Sequence, residues 1–184
     1  MGKTYDGISQ RLAEFLERQP VFFVATAPLD PAGHVNCSPK GNDGTLVVLG
    51  QRSVAYQDLT GSGIETVAHL HENGRMVLMF CAFDGPPRIV RLHGRGRVLT
   101  GGDPGHAELA GRFPARSGVR AVVRLDVERV SDSCGYGVPL MDYRGARRNL
   151  DRWAEQKGPE GLRAYRAEKN RTSLDGLAGL GRTD

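Results

Sequence analysis

The chain has 184 residues, of which 39% are hydrophobic and 25% charged, as expected for one globular domain with or without an appendage. Its formal charge of +4 is mild, and no dense run of Lys and Arg with interleaved aromatics is present, which argues against nucleic-acid binding. Three widely spaced cysteines without a Cys-x-x-Cys pair indicate neither a disulfide framework nor a zinc ribbon. The longest apolar run, residues 21–25, is too short to span a membrane, so we expect a soluble, cytoplasmic protein.

The N-terminal part of the chain predicts a helix followed by two strands. Apolar residues recur at helical spacing over positions 8–16, with Asp6 as the expected N-cap. Residues 21–26 are β-branched and aromatic between two prolines, which predicts a buried strand, and residues 34–38 would return antiparallel to it. Pro39 comes directly after and removes a ladder donor, which is tolerated at a sheet edge or a bulge.

The middle of the chain predicts a hairpin, a helix and a further strand. Residues 45–49 and 53–58 form the hairpin, and the next helix spans residues 60–73 up to a typical Asn-Gly end signal. Residues 75–83 are apolar on both faces, as in a strand that fills a barrel and also faces a partner.

Two long alternating segments follow, at residues 88–99 and 119–128, with a short helix predicted at residues 103–112 between them. Gly94 and Gly96 inside the first of these strands indicate sharp bending, which barrel closure requires.

The pattern as a whole predicts a mainly β (α+β) fold, an antiparallel barrel of six or seven strands with flanking helices. We assign residues 1–145 to the barrel and residues 146–184 to a C-terminal helical extension that packs on the barrel or on a dimer partner. Its tail, from Asp175 onward, is rich in glycine and is expected to be weakly ordered. No Gly-x-Gly-x-x-Gly follows a strand, so a Rossmann dinucleotide site is not expected.

A strand-to-helix turn is the most suggestive candidate site. Thr60, Gly61, Ser62 and Thr66 supply hydroxyls and close backbone approach at a helix start, where an anion fits. The alternative interpretation is an ordinary capping box between Ser62 and Glu65.

Two further segments could contact a ligand or simply face water. One is the strand end at residues 35–41 with its cation Lys40, and the other is a basic stripe on the strand at residues 88–99. His69 and His71 point to different faces of a helix and are unsuited to joint metal ligation, so no metal site is predicted. No motif for a nucleophile or an acid–base pair is present, which favours chemistry carried by a cofactor.

These segments, in this order, resemble the pyridoxamine 5′-phosphate oxidase-like family of FMN-binding split barrels over roughly residues 8–130. More narrowly, the chain is similar to a bacterial and fungal subgroup with three characteristic motifs. The motifs are Ser-Pro-Lys-Gly at residues 38–41, Asp-Leu-Thr-Gly-Ser-Gly at residues 58–63 and Cys-Gly-Tyr-Gly-Val-Pro at residues 134–139.

The resemblance implies FMN in a groove between the two subunits of a homodimer. Contacts to the isoalloxazine and the ribityl chain would come from two strands, through Ser38, Pro39 and Lys40 on one side and Tyr56, Gln57 and Asp58 on the other. Contacts to the phosphate would come from Thr60, Gly61, Ser62 and Thr66, and Arg88 and Arg91 would bind phosphate or reach across the dimer.

The resemblance thus implies a flavin-dependent oxidoreductase acting on a small molecule. Pyridoxamine phosphate itself is not the expected substrate, because Ile64, Glu65 and Thr66 stand where the oxidases carry a Ser-Arg-Lys phosphate motif. Two alternatives remain open on the same scaffold. One is a non-catalytic protein that binds flavin or haem, and the other is a deazaflavin-dependent reductase.

Overall fold

The computed structural model describes residues 2–41 and 43–181. Eight strands lie within them: β1 (Thr4–Tyr5), β2 (Val21–Thr26), β3 (Asn36–Gly41), β4 (Leu46–Gly50), β5 (Ser53–Leu59), β6 (Arg75–Cys81), β7 (Ile89–Leu99) and β8 (Val119–Ser133). Four helices accompany them: α1 (Gln10–Arg18), α2 (Glu65–Glu72), α3 (His106–Ala110) and α4 (Asn149–Lys169).

The strands form one antiparallel sheet in the order β3-β2-β6-β7-β8-β5-β4, with β1 added beside β8. The predicted mainly β, split-barrel class is confirmed. The two-residue β1 is the strand beyond the predicted count, since so short a segment carries no readable alternation. β3 pairs only with β2 and β4 only with β5, so the sheet is open between these two ends. Pro39 lies on the edge strand β3, as predicted.

The barrel interior is filled by the alternate residues of the strands. Phe22 and Val24 of β2 and Leu78 and Phe80 of β6 are buried in one cluster with apolar residues of α1, β5, β7 and β8. The pairing of β7 with β8 shifts register between His93 and Gly94. This bulge bends the sheet where the sequence predicted bending.

Helix starts differ from the sequence prediction in two places. α1 is capped by Ser9, whose Oγ accepts a hydrogen bond of 3.3 Å from the backbone N–H of Leu12, and not by Asp6. α2 begins at Glu65, five residues later than predicted, and its N-cap residue Ile64 makes no side-chain cap bond. The capping box that Ser62 would form is therefore absent.

The C-terminal extension contains α4 and a folded tail. α4 is broken at Gly158, whose φ of 64° and ψ of 174° are not helical, and Trp153 meets Tyr165 across the break with ring centroids 4.9 Å apart. The prediction of weak order from Asp175 onward is wrong for residues 175–181, because backbone hydrogen bonds tie the tail to the end of α4. Residues 182–184 lie outside the described part of the chain. None of the helices described is long and apolar enough to cross a membrane.

Candidate functional site

Side chains bridge the open side of the sheet between β3 and the segment from β5 to α2. Lys40 Nζ lies 2.7 Å from Asp58 Oδ1, and Asn36 Nδ2 donates to Thr66 Oγ1 over 3.0 Å. Ser38 Oγ donates to Asn36 Oδ1, also over 3.0 Å. Four predicted site residues, Ser38, Lys40, Asp58 and Thr66, are thereby brought to one groove. Asn36 links Ser38 to Thr66, although the sequence analysis gave it no role of its own.

The groove is built on a buried cluster of charges. The carboxylate of Asp58 is fully buried and is held by Lys40 on one oxygen and by Arg120 Nε, at 2.7 Å, on the other. Burial raises the pKa of Asp58, but the two cations outweigh this effect and hold that pKa below its ordinary value. Two cations share one carboxylate, so the cluster keeps a net positive charge. Lys40 is its solvent-accessible member, since its side chain is 19% exposed and that of Arg120 is 4% exposed.

The carbonyl groups of the turn before α2 accept hydrogen bonds from side chains. Asn170 Nδ2 donates to the carbonyl of Gly61 over 2.9 Å and to that of Ser62 over 3.4 Å, and Arg120 Nη1 also donates to Gly61. In a trans peptide the N–H points away from the carbonyl, so the N–H groups of Ser62 and Gly63 face away from Asn170. Within residues 2–41 and 43–181 no hydrogen bond engages these two N–H groups, and both residues are exposed. Adjacent outward amides of this kind suit an anion.

Glu65 places a negative charge beside this turn. A Cβ built on Gly63 would lie 2.7 Å from Glu65 Oε2, so the carboxylate sits directly against Gly63. Its other oxygen accepts a hydrogen bond of 3.3 Å from the backbone N–H of Leu174. A phosphate at the outward amides would therefore meet a like charge at the start of α2.

Three predicted contacts do not face the groove with their side chains. Tyr56 lies in the barrel core, fully buried and edge-on to Phe22 with ring centroids 5.5 Å apart. Gln57 points to the opposite face of the sheet, where its Nε2 donates to the carbonyl of Pro114 over 3.1 Å. Thr60 is also buried, beneath α4, and its hydroxyl donates to Gly118. For these side chains the expected ligand contact has no support from their placement, because Tyr56 fills the barrel core, Gln57 faces the other side of the sheet and Thr60, beyond the end of β5, is held beneath α4.

Arg88 and Arg91 lie at the far end of the sheet from the turn. Ile89 pairs with Ser133 at one end of the 15-residue strand β8, whereas Leu59 pairs with Val119 at the other end. Along a strand this separation is roughly 45 Å before bending. Within one chain the two arginines therefore cannot share the groove with Ser62.

Both arginines also have partners of their own. Arg88 donates to the hydroxyl of Tyr5 over 3.2 Å and to Asp132 over 3.3 Å, with its guanidinium over the ring of Phe15. Arg91 donates to Ser133 Oγ over 3.1 Å.

The Cys-Gly-Tyr-Gly-Val-Pro motif at residues 134–139 packs against the backbone of Arg88, directly before β7. Gly135 has a φ of +68°, and a Cβ there would lie 2.6 Å from the backbone nitrogen of Arg88. Glycine is thus required at this turn, while Tyr136 beside it is largely exposed. The motif lies with Arg88, away from Ser62 and Gly63.

A buried histidine supports the β3 side of the groove. Asn36 Nδ2 donates to Thr26 Oγ1 over 3.1 Å, and Thr26 Oγ1 lies 2.9 Å from His69 Nδ1. Burial lowers the pKa of His69, although Asp175, Glu72 and Glu65 act in the opposite direction. A neutral ring follows at neutral pH. Among the described residues no group of three or more His, Cys, Asp or Glu could hold a metal ion.

Residues 8–134 match the sequence profile of pyridoxamine 5′-phosphate oxidase. The chain is also 43% identical over 192 residues to the pyridoxamine 5′-phosphate oxidase family protein ustO of Aspergillus flavus, covering 96% of this chain and 77% of that protein. The chain belongs to this family. The family match covers both sides of the groove, and α4 with its tail lies beyond it.

Two solved structures share the fold of this family member. A HupZ variant from Group A Streptococcus is 23% identical, with a TM-score of 0.52 over 68% of this chain and 99% of that one. A FAD-binding protein from Mesorhizobium loti is 16% identical, with a TM-score of 0.50 over 72% of this chain and 96% of that one. At these identities the likeness concerns the fold alone.

Proposed function

We propose that this protein is an FMN-dependent oxidoreductase that acts on a small molecule, as a cytoplasmic homodimer with its cofactor at the open side of each barrel. Membership of the pyridoxamine 5′-phosphate oxidase family and the shared fold of the FAD-binding protein support a flavin. The observation that carries the proposal is the pair of outward N–H groups on Ser62 and Gly63, near the net positive cluster of Lys40, Asp58 and Arg120.

The residues present fit a phosphorylated flavin. Ser62 and Gly63 would donate their backbone N–H groups to the phosphate, and Lys40 would offer its ammonium group to a polar edge of the cofactor. Asp58 holds Lys40 in place, so the cation is oriented before the cofactor binds. Ser38 presents a hydroxyl fixed by Asn36 on the same side. When bound, the flavin itself would supply hydride transfer, so no protein nucleophile is required.

The apolar outward face of β2 and β6 supports the proposed dimer. Phe23 pairs with Met79 and Ala25 pairs with Val77 on that face, and all four residues are half-buried. An apolar sheet face of this kind is typical of a subunit interface. Docking a second copy there would supply a route for Arg88 or Arg91 of that copy to approach the groove.

We expect the purified protein to bind FMN at least tenfold more tightly than riboflavin. Charge-assisted hydrogen bonds to the phosphate contribute about 1.5–3 kcal/mol each, and riboflavin lacks them. Quenching of flavin fluorescence measures both dissociation constants, and native mass spectrometry of the same sample reports the subunit count and any retained ligand. A deazaflavin and haem are titrated in parallel. Binding of neither flavin, or a Soret band with haem as the sole ligand response, contradicts the proposal.

The Glu65→Gln variant is expected to bind FMN about fivefold more tightly than the unmodified protein. Removing the carboxylate beside Gly63 removes a repulsion of about 1 kcal/mol, typical of a screened, partly exposed charge pair. The affinity for riboflavin should not change. Glu72→Gln, at the other end of α2, is the matched control and should leave both affinities unchanged. Equal effects of the two variants, or no gain for FMN, would place the phosphate elsewhere.

A further inference from the structure

We infer that the C-terminal segment at residues 166–180 is a clamp across the open side of the barrel and that Asn170 is its positioning residue for the phosphate of the cofactor. The inference rests on the proposed function and assigns a role to a part of the chain beyond the family match, which ends at residue 134. Asn170 touches neither the proposed cofactor nor a reacting atom. It acts through the backbone of Gly61 and Ser62.

Asn170 is itself held firmly. Its side chain is fully buried, and its Oδ1 accepts a hydrogen bond of 3.0 Å from Arg120 Nη1. Its backbone N–H donates to Arg166 over 2.8 Å, and its carbonyl accepts from Leu180 over 2.9 Å. Asn170 is thus held by three hydrogen bonds, one to its side chain and two to its backbone. The directions of the two hydrogen bonds that its side chain donates are therefore set before any ligand binds.

Arg166 fixes the beginning of the same turn from one helical turn earlier in α4. Its Nε donates to Thr60 Oγ1 over 2.9 Å, and its Nη2 donates to the carbonyl of Val119 over 3.1 Å. The hydroxyl of Thr60 in turn donates to Gly118 over 2.7 Å. Thr60 is therefore held by Arg166 and Gly118, and the carbonyls of Gly61 and Ser62 are held by Asn170, which leaves the N–H groups of Ser62 and Gly63 without a partner among the described residues.

The tail then crosses to the other side of the groove. The carboxylate of Asp175 accepts hydrogen bonds from the backbone N–H of His34, at 2.8 Å, and pairs with its ring at 2.6 Å. His34 lies two residues before Asn36, at the entry to β3. After Asp175 the tail returns toward Asn170, and Gly179 packs so closely on Ile64 that a Cβ would come within 2.7 Å of its side chain. One segment thus contacts the turn before α2 and the entry to β3.

The hydrogen bonds donated by Asn170 orient the peptide groups of the turn and do more than stabilise the fold in general. Asn170 donates to carbonyl oxygens only, and each of those carbonyls belongs to the peptide unit whose N–H faces outward. Without the bonds from Asn170, only Arg120 holds the Gly61 carbonyl and no described hydrogen bond holds that of Ser62, so the peptide planes can rotate and the paired N–H groups lose their common direction. The binding of a phosphate should suffer from this rotation, whereas the binding of a flavin ring should not.

The Asn170→Asp variant tests the inference. The aspartate keeps the shape and the acceptor for Arg120, but it loses the donor to Gly61 and Ser62 and adds a negative charge; Asn170→Leu loses the same donor without that charge, so both variants must show the loss described next. We expect the dissociation constant for FMN to rise at least tenfold while that for riboflavin changes less than twofold. In ligand-free protein, the amide NMR signals of Ser62 and Gly63 should shift. Arg163→Ala, on the exposed face of α4, is the control and should change neither affinity nor these signals.

Equal weakening of both flavins, or unchanged FMN affinity with unchanged amide signals, would overturn the inference. The NMR measurement needs no ligand, so it tests the clamp even if the proposed flavin function fails. Should the Asn170→Asp variant not fold, Asp175→Asn tests the β3 side of the clamp at a half-buried position. A rise of at least twofold in the FMN dissociation constant, without a change for riboflavin, supports the inference, and no difference overturns it.

Discussion

Replacing Asp58 with asparagine is expected to lower the free energy of unfolding by about 3–5 kcal/mol. The carboxylate is fully buried and is the partner of both Lys40 and Arg120. Removing its charge leaves the guanidinium of Arg120 buried without a counter-ion, and this uncompensated charge is the physical cause of the loss. Urea unfolding followed by circular dichroism measures the effect as a lower midpoint with an unchanged slope.

Asp126→Asn is the matched control for this prediction. Asp126 also pairs with two arginines, Arg97 at 2.6 Å and Arg124 at 3.1 Å, but all three side chains are exposed to solvent. Exposed ion pairs contribute roughly 0–1 kcal/mol, because water screens them and solvates each charge when the pair is lost. If the two variants lose a similar free energy of unfolding, burial is not the reason that the Asp58 ion pairs contribute to stability.

The same carboxylate predicts a sensitivity to acid. The folded-state pKa of Asp58 lies below its ordinary value, so its contribution to stability is complete above about pH 4, the value in the unfolded chain. That contribution is lost as the pH falls through the lower, folded-state pKa. The Asp58→Asn variant should therefore differ most from the unmodified protein near neutral pH and least in strong acid.

Replacing Gly94 with alanine is expected to lower the free energy of unfolding by about 3 kcal/mol, at the upper end of the usual cost of overpacking. A Cβ there would lie 2.0 Å from the backbone carbonyl oxygen of Asp126. No side chain can move aside to relieve this contact. The bulge in the β7–β8 pairing would have to open, and with it the bend that closes the barrel.

Gly102→Ala is the control for the backbone effect of losing a glycine. No heavy atom lies within 4 Å of a Cβ at Gly102, and its φ is not in the left-handed region. Its stability should change by no more than about 0.5 kcal/mol. Thermal unfolding of the two variants side by side gives the comparison. A loss below about 1 kcal/mol for Gly94→Ala would show that the barrel accommodates a Cβ at the bulge.

The strands were predictable because buried and exposed side chains alternate along a β-strand with a period of two residues. The segment at residues 21–26, the hairpin around Gly50 and the glycine-bent strand of Gly94 all carry that local signal, and each appears in the structure near its predicted bounds. Helix starts were less predictable. Asp6 was the predicted cap of α1, whereas Ser9, whose residue type is equally suited to an N-cap, takes that position in the structure.

The candidate groove was predictable only in part. The residues of β3 and the turn before α2 carry recognisable chemistry, but the partners that hold them are distant in sequence. Arg120 has the same alternating position as its exposed neighbour Arg124, and nothing local marks it as the partner of Asp58. The side-chain amide of Asn170 donates to the carbonyl of Gly61, which lies 109 residues earlier in the chain.

Sequence alone predicted the antiparallel barrel and placed a hydroxyl- and glycine-rich turn before α2, because periodicity and turn chemistry are properties of neighbouring residues. Tertiary structure decided which of those groups face a ligand. It buried Tyr56 and Thr60, paired Asp58 with two cations, and ordered the tail against His34 and Ile64. These outcomes depend on ion pairs and hydrogen bonds between segments that are distant in sequence and come together only in the curved sheet. A pattern among neighbouring residues does not predict such contacts.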